Sequence, residues 1–227
     1  MLFYLPLFEQ ALLPEAEARH ALQVLRLRKN DSIQVCDGNG HVASARILKE
    51  STSDCRLELT EIKRIDPLRK EEIWLAVAPT KNADRMEWLV EKAVEIGCNG
   101  FHFFKSGRTG RNHLNLERLN RIALSAMKQS GQFYLPRLHW HEDLNRLPFN
   151  EFDRLVTADL RSENKRLQAR PFRKMLMLIG PEGDFTPEEF TFLQSLQTEQ
   201  LRFLPQVLRT ETAALYALTL GLLSLPD

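Results

Sequence analysis

Two rhythms of apolar and polar residues divide the chain. Up to about residue 66 the runs are short. Ser32–Cys36 alternates and ends at Asp37-Gly38-Asn39-Gly40, a strong hairpin signal, with Val42–Leu48 as the return strand. Cys55–Ile62 alternates again through Leu57 and Leu59. Pro14 opens one helical stretch, on which Ala18, Ala21, Leu22 and Leu25 recur at the 3.6-residue period. Asp66-Pro67, followed by the polar run Arg69–Glu72, reads as a domain boundary.

Beyond it, continuous apolar runs alternate with amphipathic ones. Ile73–Ala78 is apolar throughout, as a strand covered on both faces requires. A helix follows with Met86, Leu89, Val90, Ala93 and Val94 on one face and Gly97 at its end. Gly100–Phe104 is the next strand, and a second helix runs from an Asn115 cap to Gly131. Leu155–Thr157 and Met175–Ile179 predict further buried strands, and Arg202–Leu204 a short one. Thr186-Pro187-Glu188-Glu189 is a capping box with proline at the first helical position, opening a helix through Leu196. Thr210–Leu225 is so apolar that the pattern predicts a helix buried on most sides. Strands alternating with helices predict an α/β fold with a parallel sheet behind a small β-rich unit.

Composition narrows the class. The 227 residues are 43% hydrophobic and 27% charged, an ordinary globular balance. The three cysteines, Cys36, Cys55 and Cys98, are far apart and odd in number, against a disulfide framework or a cysteine-rich zinc site. MLFYLPLFEQ lacks the basic region of a secretory signal, and no apolar run approaches the ~18–20 residues that span a bilayer. A reduced cytoplasmic protein is expected, with neither membrane nor metal partner. His139 and His141 share one strand face, but no third ligand lies near in sequence, so they read as structural or surface histidines.

A formal net charge of +1 speaks against a nucleic-acid partner only as a total. Arg19, Arg26, Arg28 and Lys29 form a run without an acid. Lys105–Lys128 holds six basic residues against Glu117, and Arg161–Lys174 six against Glu163. Such segregation can give a neutral molecule one basic face.

Two segments carry candidate chemistry. Leu178-Ile179-Gly180-Pro181-Glu182-Gly183 takes a buried strand into two glycines, where a ligand can approach backbone at the carboxyl end of a parallel strand. Its spacing fits neither dinucleotide nor P-loop binding. Leu208-Arg209-Thr210-Glu211-Thr212-Ala213 sets charged and hydroxyl residues before the most apolar helix. A cation at a helix N-terminus opposes the dipole, so Arg209 calls for an anion unless it is solvated.

In this order, Ile179–Gly183 and Val207-Leu208-Arg209-Thr210-Glu211-Thr212-Ala213 resemble the signature of the bacterial 16S ribosomal RNA (uracil-N3)-methyltransferases, of the SPOUT superfamily. Asp84–Ala93 with Glu95-Ile96-Gly97 resembles the helix after that family's first strand. Ser106 and Arg108 fit its Arg-Ser-x-Arg loop, with Lys105 in place of the first arginine. Glu117-Arg118-Leu119, Gln129-Ser130-Gly131 and Leu135-Pro136 also fit, and His20, Val24-Leu25-Arg26 and Asp37-Gly38 match the start of its barrel. Two departures stand out: Asp184 where the family has a second glycine, and Leu204-Pro205-Gln206 for its Leu-Gly-x-Arg.

The resemblance implies a PUA-like RNA-binding β-barrel over residues 1–68 and a SPOUT methyltransferase domain over 70–227, knotted as a trefoil across about 155–227. S-adenosyl-L-methionine would bind at Thr157, Ile179, Gly180, Glu182, Gly183, Leu204, Leu208, Thr212 and Ala213. The implied partners are 16S ribosomal RNA in the 30S subunit and a second copy of the chain. RNA contacts fall to Arg19, Arg26, Arg28 and Lys29 in the barrel and to Lys105, Arg108 and Arg111 in the loop.

Uracil N3 carries a proton, so the site must stabilise negative charge on the base's carbonyl oxygens or supply a base. Arg209 fits the first role, with Arg108 as helper from the other subunit; Glu211 is either a proton acceptor or a helix cap. The expected activity is methylation of N3 of one uridine in 16S ribosomal RNA. Its rivals are a ribosome- or RNA-binding protein without turnover, for which Asp184 and Leu204 speak, and a SPOUT enzyme of transfer RNA.

Overall fold

The computed structural model describes residues 1–110 and 113–225. They fall into two compact units, one of Met1–Leu68 with Met127–Leu135, the other of Arg69–Ala126 and the chain from Pro136 onward.

In the first unit β1 (Leu2–Tyr4), β2 (Leu12–Leu13), β3 (Ser32–Cys36), β4 (His41–Ile47) and β5 (Cys55–Arg64) form a mixed sheet of order β1-β3-β4-β5-β2. Only β1 and β3 run parallel, and the sheet curls into a half-barrel. The predicted hairpin forms because Asp37 Oδ1 accepts from the backbone N–H groups of Asn39 (2.7 Å) and His41 (3.0 Å). Gly40 adopts φ +93° with Tyr134 packed where a Cβ would lie, so both backbone and space exclude a side chain there. β4 begins and ends one residue before the predicted strand, and β5 continues to Arg64. The predicted helix is α1 (Glu15–Arg19), running on into a π-helical turn, His20–Val24, closed by Leu25 N–H to His20 O (3.0 Å). Arg26 ends it in the left-handed region at φ +58°, while Leu27 N–H returns to Ala21 O.

The second unit holds β6 (Glu72–Val77), α2 (Ala83–Ile96), β7 (Gly100–Phe104), α3 (Leu116–Gln129, its residues from Met127 on counted with the first unit), β8 (Arg137–His141), β9 (Arg154–Ala158), β10 (Lys174–Ile179), α4 (Pro187–Ser195), β11 (Glu199–Leu201) and α5 (Thr210–Leu223). Its six strands are all parallel, in the order β11-β9-β10-β6-β7-β8. The predicted α/β unit is thus present, and α2, α3 and α4 start where capping chemistry dictates. Asn82 Oδ1 accepts from Asp84 N–H at the head of α2, Asn115 Oδ1 from Arg118 N–H at the head of α3, and Thr186 and Glu189 close the capping box of α4.

Two expectations are corrected. Arg202–Leu204 is not a strand; the chain pairs with β9 three residues earlier, at Glu199–Leu201. Phe203 and Leu204 owe their apolar character to the cleft they line. α5 is buried on one side only, through Ala213, Ala214, Ala217, Leu218 and Gly221. Its opposite side leaves Leu223 77% exposed. No helix among the described residues is long and apolar enough to cross a membrane.

Candidate functional site

From β6 the sheet grows one way through β7 and β8, and the later strands β10, β9 and β11 add on the other side. Open parallel sheets bind ligands beyond the carboxyl ends of strands flanking such a reversal. Here the carboxyl ends of β11, β9, β10 and β6 are level, with Leu201 opposite Ala158 and Ile179 opposite Val77. Beyond them lies a cleft of about 280 Å³, walled by Ala158–Leu160, by Ile179–Glu182 with Asp184, and by segments of residues 201–213.

The loop after β10 follows from close approach and one turn. A Cβ on Gly180 would lie 3.1 Å from Phe185 Cδ2, so a larger residue would push the loop off its neighbour. Asp184 N–H donates to Pro181 O (2.9 Å), closing a turn that leaves Asp184 at φ +63°. That is the conformation glycine adopts freely and aspartate tolerates better than most residues, here with its Oδ1 accepting from Phe185 N–H (2.8 Å). The departure from the family glycine is therefore accommodated in the backbone.

Two side chains brace this loop. Arg108 Nη1 donates to Gly183 O (2.8 Å) and Phe185 O (3.4 Å). Glu189, besides capping α4, accepts from the buried Ser106 hydroxyl (2.9 Å) and from Gly107 N–H (2.9 Å). The Ser-x-Arg loop and the cofactor-loop candidate are thus one hydrogen-bonded assembly.

At the head of α5 the Thr210 hydroxyl donates to Gly180 O (3.4 Å). Arg209 is the N-cap residue, exposed at the cleft, with no carboxylate within 4 Å among the described residues. Glu211, one residue past Thr210, is 6% exposed. Its Oε1 lies 3.6 Å from Arg85 Nε, and its Oε2 has no hydrogen-bond partner. Arg85 Nη1 also donates to Glu182 Oε1 (3.3 Å). One guanidinium on α2 therefore joins the two acids of the two motifs.

Of the residues expected to hold the cofactor, Ile179, Gly180, Glu182, Leu204, Leu208 and Ala213 line the cleft, as does Arg209. Gly183 sits against Arg108, Thr212 points to solvent, and the buried Thr157 hydroxyl bonds Thr198 (3.0 Å). Asp159, Phe203 and Gln206 line the cleft as well. Arg85 was visible in sequence only as part of a motif, because its partners lie far along the chain. In the first unit Arg19 pairs with Glu15 (2.6 Å) and Arg28 with Glu50 (3.6 Å), while Arg26 and Lys29 are exposed; Lys105 is exposed in the second unit. Arg111 lies outside the described residues.

The histidine pair gains a third imidazole. His102 on β7 stacks on His139 (centroids 5.1 Å apart) and on Trp74, and its Nδ1 lies 2.9 Å from His141 Nε2. Burial, then the neighbouring His141 and His139, pushes His102 down to about 3, so it stays neutral. No group of three His, Cys, Asp or Glu among the described residues is disposed to hold a metal ion. His102, His139 and His141 pack on one another, and His102 and His139 on Trp74.

An apolar cleft with three carboxylates, Asp159, Glu182 and Asp184, and one uncompensated guanidinium, set on the carboxyl ends of a parallel sheet, suits a ligand part flat and apolar, part charged. Residues 67–221 match the RNA methyltransferase domain and residues 13–60 the RNA methyltransferase PUA domain, and the chain belongs to this RNA methyltransferase family. A probable rRNA-methyltransferase from Porphyromonas gingivalis shares 34% identity, with 96% of this chain and 95% of that one covered at a TM-score of 0.85. The ribosomal RNA small subunit methyltransferase E from Neisseria gonorrhoeae, solved bound to S-adenosyl methionine, shares 26% over 96% and 94% at 0.81. The protein of that name from Bacillus subtilis is 27% identical, covering 89% of this chain and 86% of its own length.

Proposed function

We propose that the chain methylates N3 of a specific uridine in small-subunit ribosomal RNA, using S-adenosyl-L-methionine. The observation that carries this reading is Arg209: an exposed, unpaired cation at the head of α5, on the rim of the cleft, in a chain of the RNA methyltransferase family. The names of the Bacillus and Neisseria relatives support the ribosomal substrate, and the bound molecule in the latter supports the cofactor.

The cleft's chemistry fits that cofactor. Leu160, Ile179, Leu204 and Leu208 offer apolar walls to an adenine, and Asp159 and Glu182 offer carboxylates to a sulfonium and an ammonium. When bound, S-adenosylmethionine supplies a methyl group already activated on sulfur, so alignment matters more than acid catalysis. The chain's own task is to handle charge. As the N3 proton leaves, negative charge spreads onto the two carbonyl oxygens of uracil, and Arg209 is the group to stabilise it. Glu211, whose buried Oε2 has no hydrogen-bond partner, is the candidate acceptor for that proton, with Arg85 Nε 3.6 Å from its Oε1. Arg108 keeps the loop of Gly183 in position while remaining the family's candidate helper. The target base must be unpaired or flipped out, since pairing occupies N3.

The reading includes a trefoil knot, supported by Arg202 N–H on Asn164 O (2.8 Å) and Ser162 Oγ on Gln200 O (2.9 Å), which lay β11 and the residue after it along the loop after β9. It includes a homodimer, supported by the uncovered apolar side of α5, and a cytoplasmic site of action beside the ribosome. Labelled-methyl transfer to 16S RNA, 30S subunits and transfer RNA in parallel, followed by nucleoside mass spectrometry, tests the activity. 3-Methyluridine in small-subunit RNA is expected; no product, or a product in transfer RNA alone, overturns the reading.

A further inference from the structure

The run Arg161–Lys174 takes up most of the loop between β9 and β10, and its cations fall into two sets. Arg161 pairs with Asp159 (3.0 Å), Arg170 with Glu199 (2.6 Å) and Lys174 with Glu72 (3.7 Å). Lys165, Arg166 and Arg173 are exposed and have no carboxylate within 4 Å among the described residues. Folding consumes one set and leaves the other to solvent.

The loop is held from several sides. Arg154, 1% exposed, donates Nη2 to Gln168 O (2.8 Å) while its Nε bonds Glu199. Asn164 O accepts from Arg202 N–H, and Asp153 Oδ2 accepts from Arg173 N–H (2.8 Å). Lys165 and Arg166 therefore project from a backbone fixed before any partner arrives, Arg166 N–H donating to Asn164 Oδ1 (3.2 Å), which lowers the ordering cost of binding. Arg173, directly before β10, stands at the end of the strands away from the cleft. The loop also starts in the cleft wall, at Asp159 and Leu160. Lys165 is five residues further on, at most ~18 Å along the chain, a span of a few nucleotides.

We infer that Lys165 and Arg166 form a phosphate-binding surface for the substrate RNA, gripping the backbone a few nucleotides from the base that enters the cleft. This rests on the proposed function and extends it to how the RNA is held. Such contacts position a nucleic acid without reading its sequence, and each releases counterions on binding.

The test is RNA affinity against salt for the wild type, the double variant Lys165→Gln/Arg166→Gln, and a charge-keeping double, Lys165→Arg/Arg166→Lys. Loss of two phosphate contacts should flatten the slope of log affinity against log salt by ~1–2 and weaken binding several-fold at low salt. The KM for RNA should rise with kcat and S-adenosylmethionine affinity retained, and the charge-keeping double should bind like the wild type. An unchanged slope and affinity in the glutamine double overturns the inference. A wild type that binds RNA through these residues yet transfers no methyl overturns the transferase reading alone.

Discussion

Arg85 Nε lies 3.6 Å from Oε1 of Glu211, although the residues stand on different helices and 126 positions apart. Glu211 is buried, so this guanidinium is what keeps its charge tolerable beneath the first turn of α5. Arg85→Ala should cost about 1–2 kcal/mol, toward the low side for a buried pair because Arg85 is itself about a third exposed. Urea denaturation of Arg85→Ala, Glu211→Gln and the double variant measures the coupling. If the two single losses simply add, the pair contributes nothing.

Arg209→Ala should leave the unfolding midpoint within ~0.5 kcal/mol of wild type, since the side chain is exposed and unpaired. Methyl transfer should fall ~100-fold or more, the usual cost of removing a group that stabilises developing charge. Near-wild-type turnover would remove Arg209 from the mechanism.

Asp184 occupies the left-handed region, which costs a β-branched residue about 1–2 kcal/mol and glycine almost nothing. Asp184→Gly should therefore be near neutral in stability and cofactor affinity. Asp184→Val should lose ~2 kcal/mol and weaken S-adenosylmethionine binding with it, by calorimetry and chemical denaturation. Equal behaviour of the two variants would mean the turn is not strained.

Acid should unfold the second unit by way of its histidine stack. Above the ordinary value of 6.5 His102 is neutral both folded and unfolded and has no effect. As pH falls below 6.5 the unfolded chain gains a proton that the folded one, held to about 3, does not take up. Stability then drops toward pH 3 by up to ~1.4 kcal/mol per pH unit. His141, also depressed by burial and by His139, adds to the same limb. His102→Asn should flatten the curve between about pH 6.5 and 4.5; an unaltered slope would assign the acid limb elsewhere.

Much of the fold was legible because its signals are local. Gly100–Phe104 carries three phenylalanines in five residues, and Thr186 to Glu189 spells out a helix start, so strand and cap appear where the residues put them. Leu2–Tyr4 and Leu12–Leu13 escaped because strands of three and two residues show no period; only pairing defines them. Glu199–Leu201 is a polar edge strand, whereas the apolar Phe203 and Leu204 beside it face a cleft, so hydrophobicity pointed three residues too far. At the site, the Gly180 loop and Arg209 could be singled out from glycine spacing and helix-end charge. Arg85 could not, since nothing within a turn of it hints at carboxylates near residues 182 and 211.

Glu189 Oε2 is shared between the Thr186 amide and the Ser106 hydroxyl, while Oε1 takes the Gly107 amide. A single carboxylate thus welds the start of α4 to a loop that is 83 residues away in sequence. Loop grafting feels the consequence: residues 105–109 cannot be exchanged for a relative's version as a cassette unless position 189 travels with them. A library that diversifies the Ser-x-Arg loop alone would mostly sample chains in which Glu189 still caps α4 but has lost the Ser106 hydroxyl that ties it to the loop.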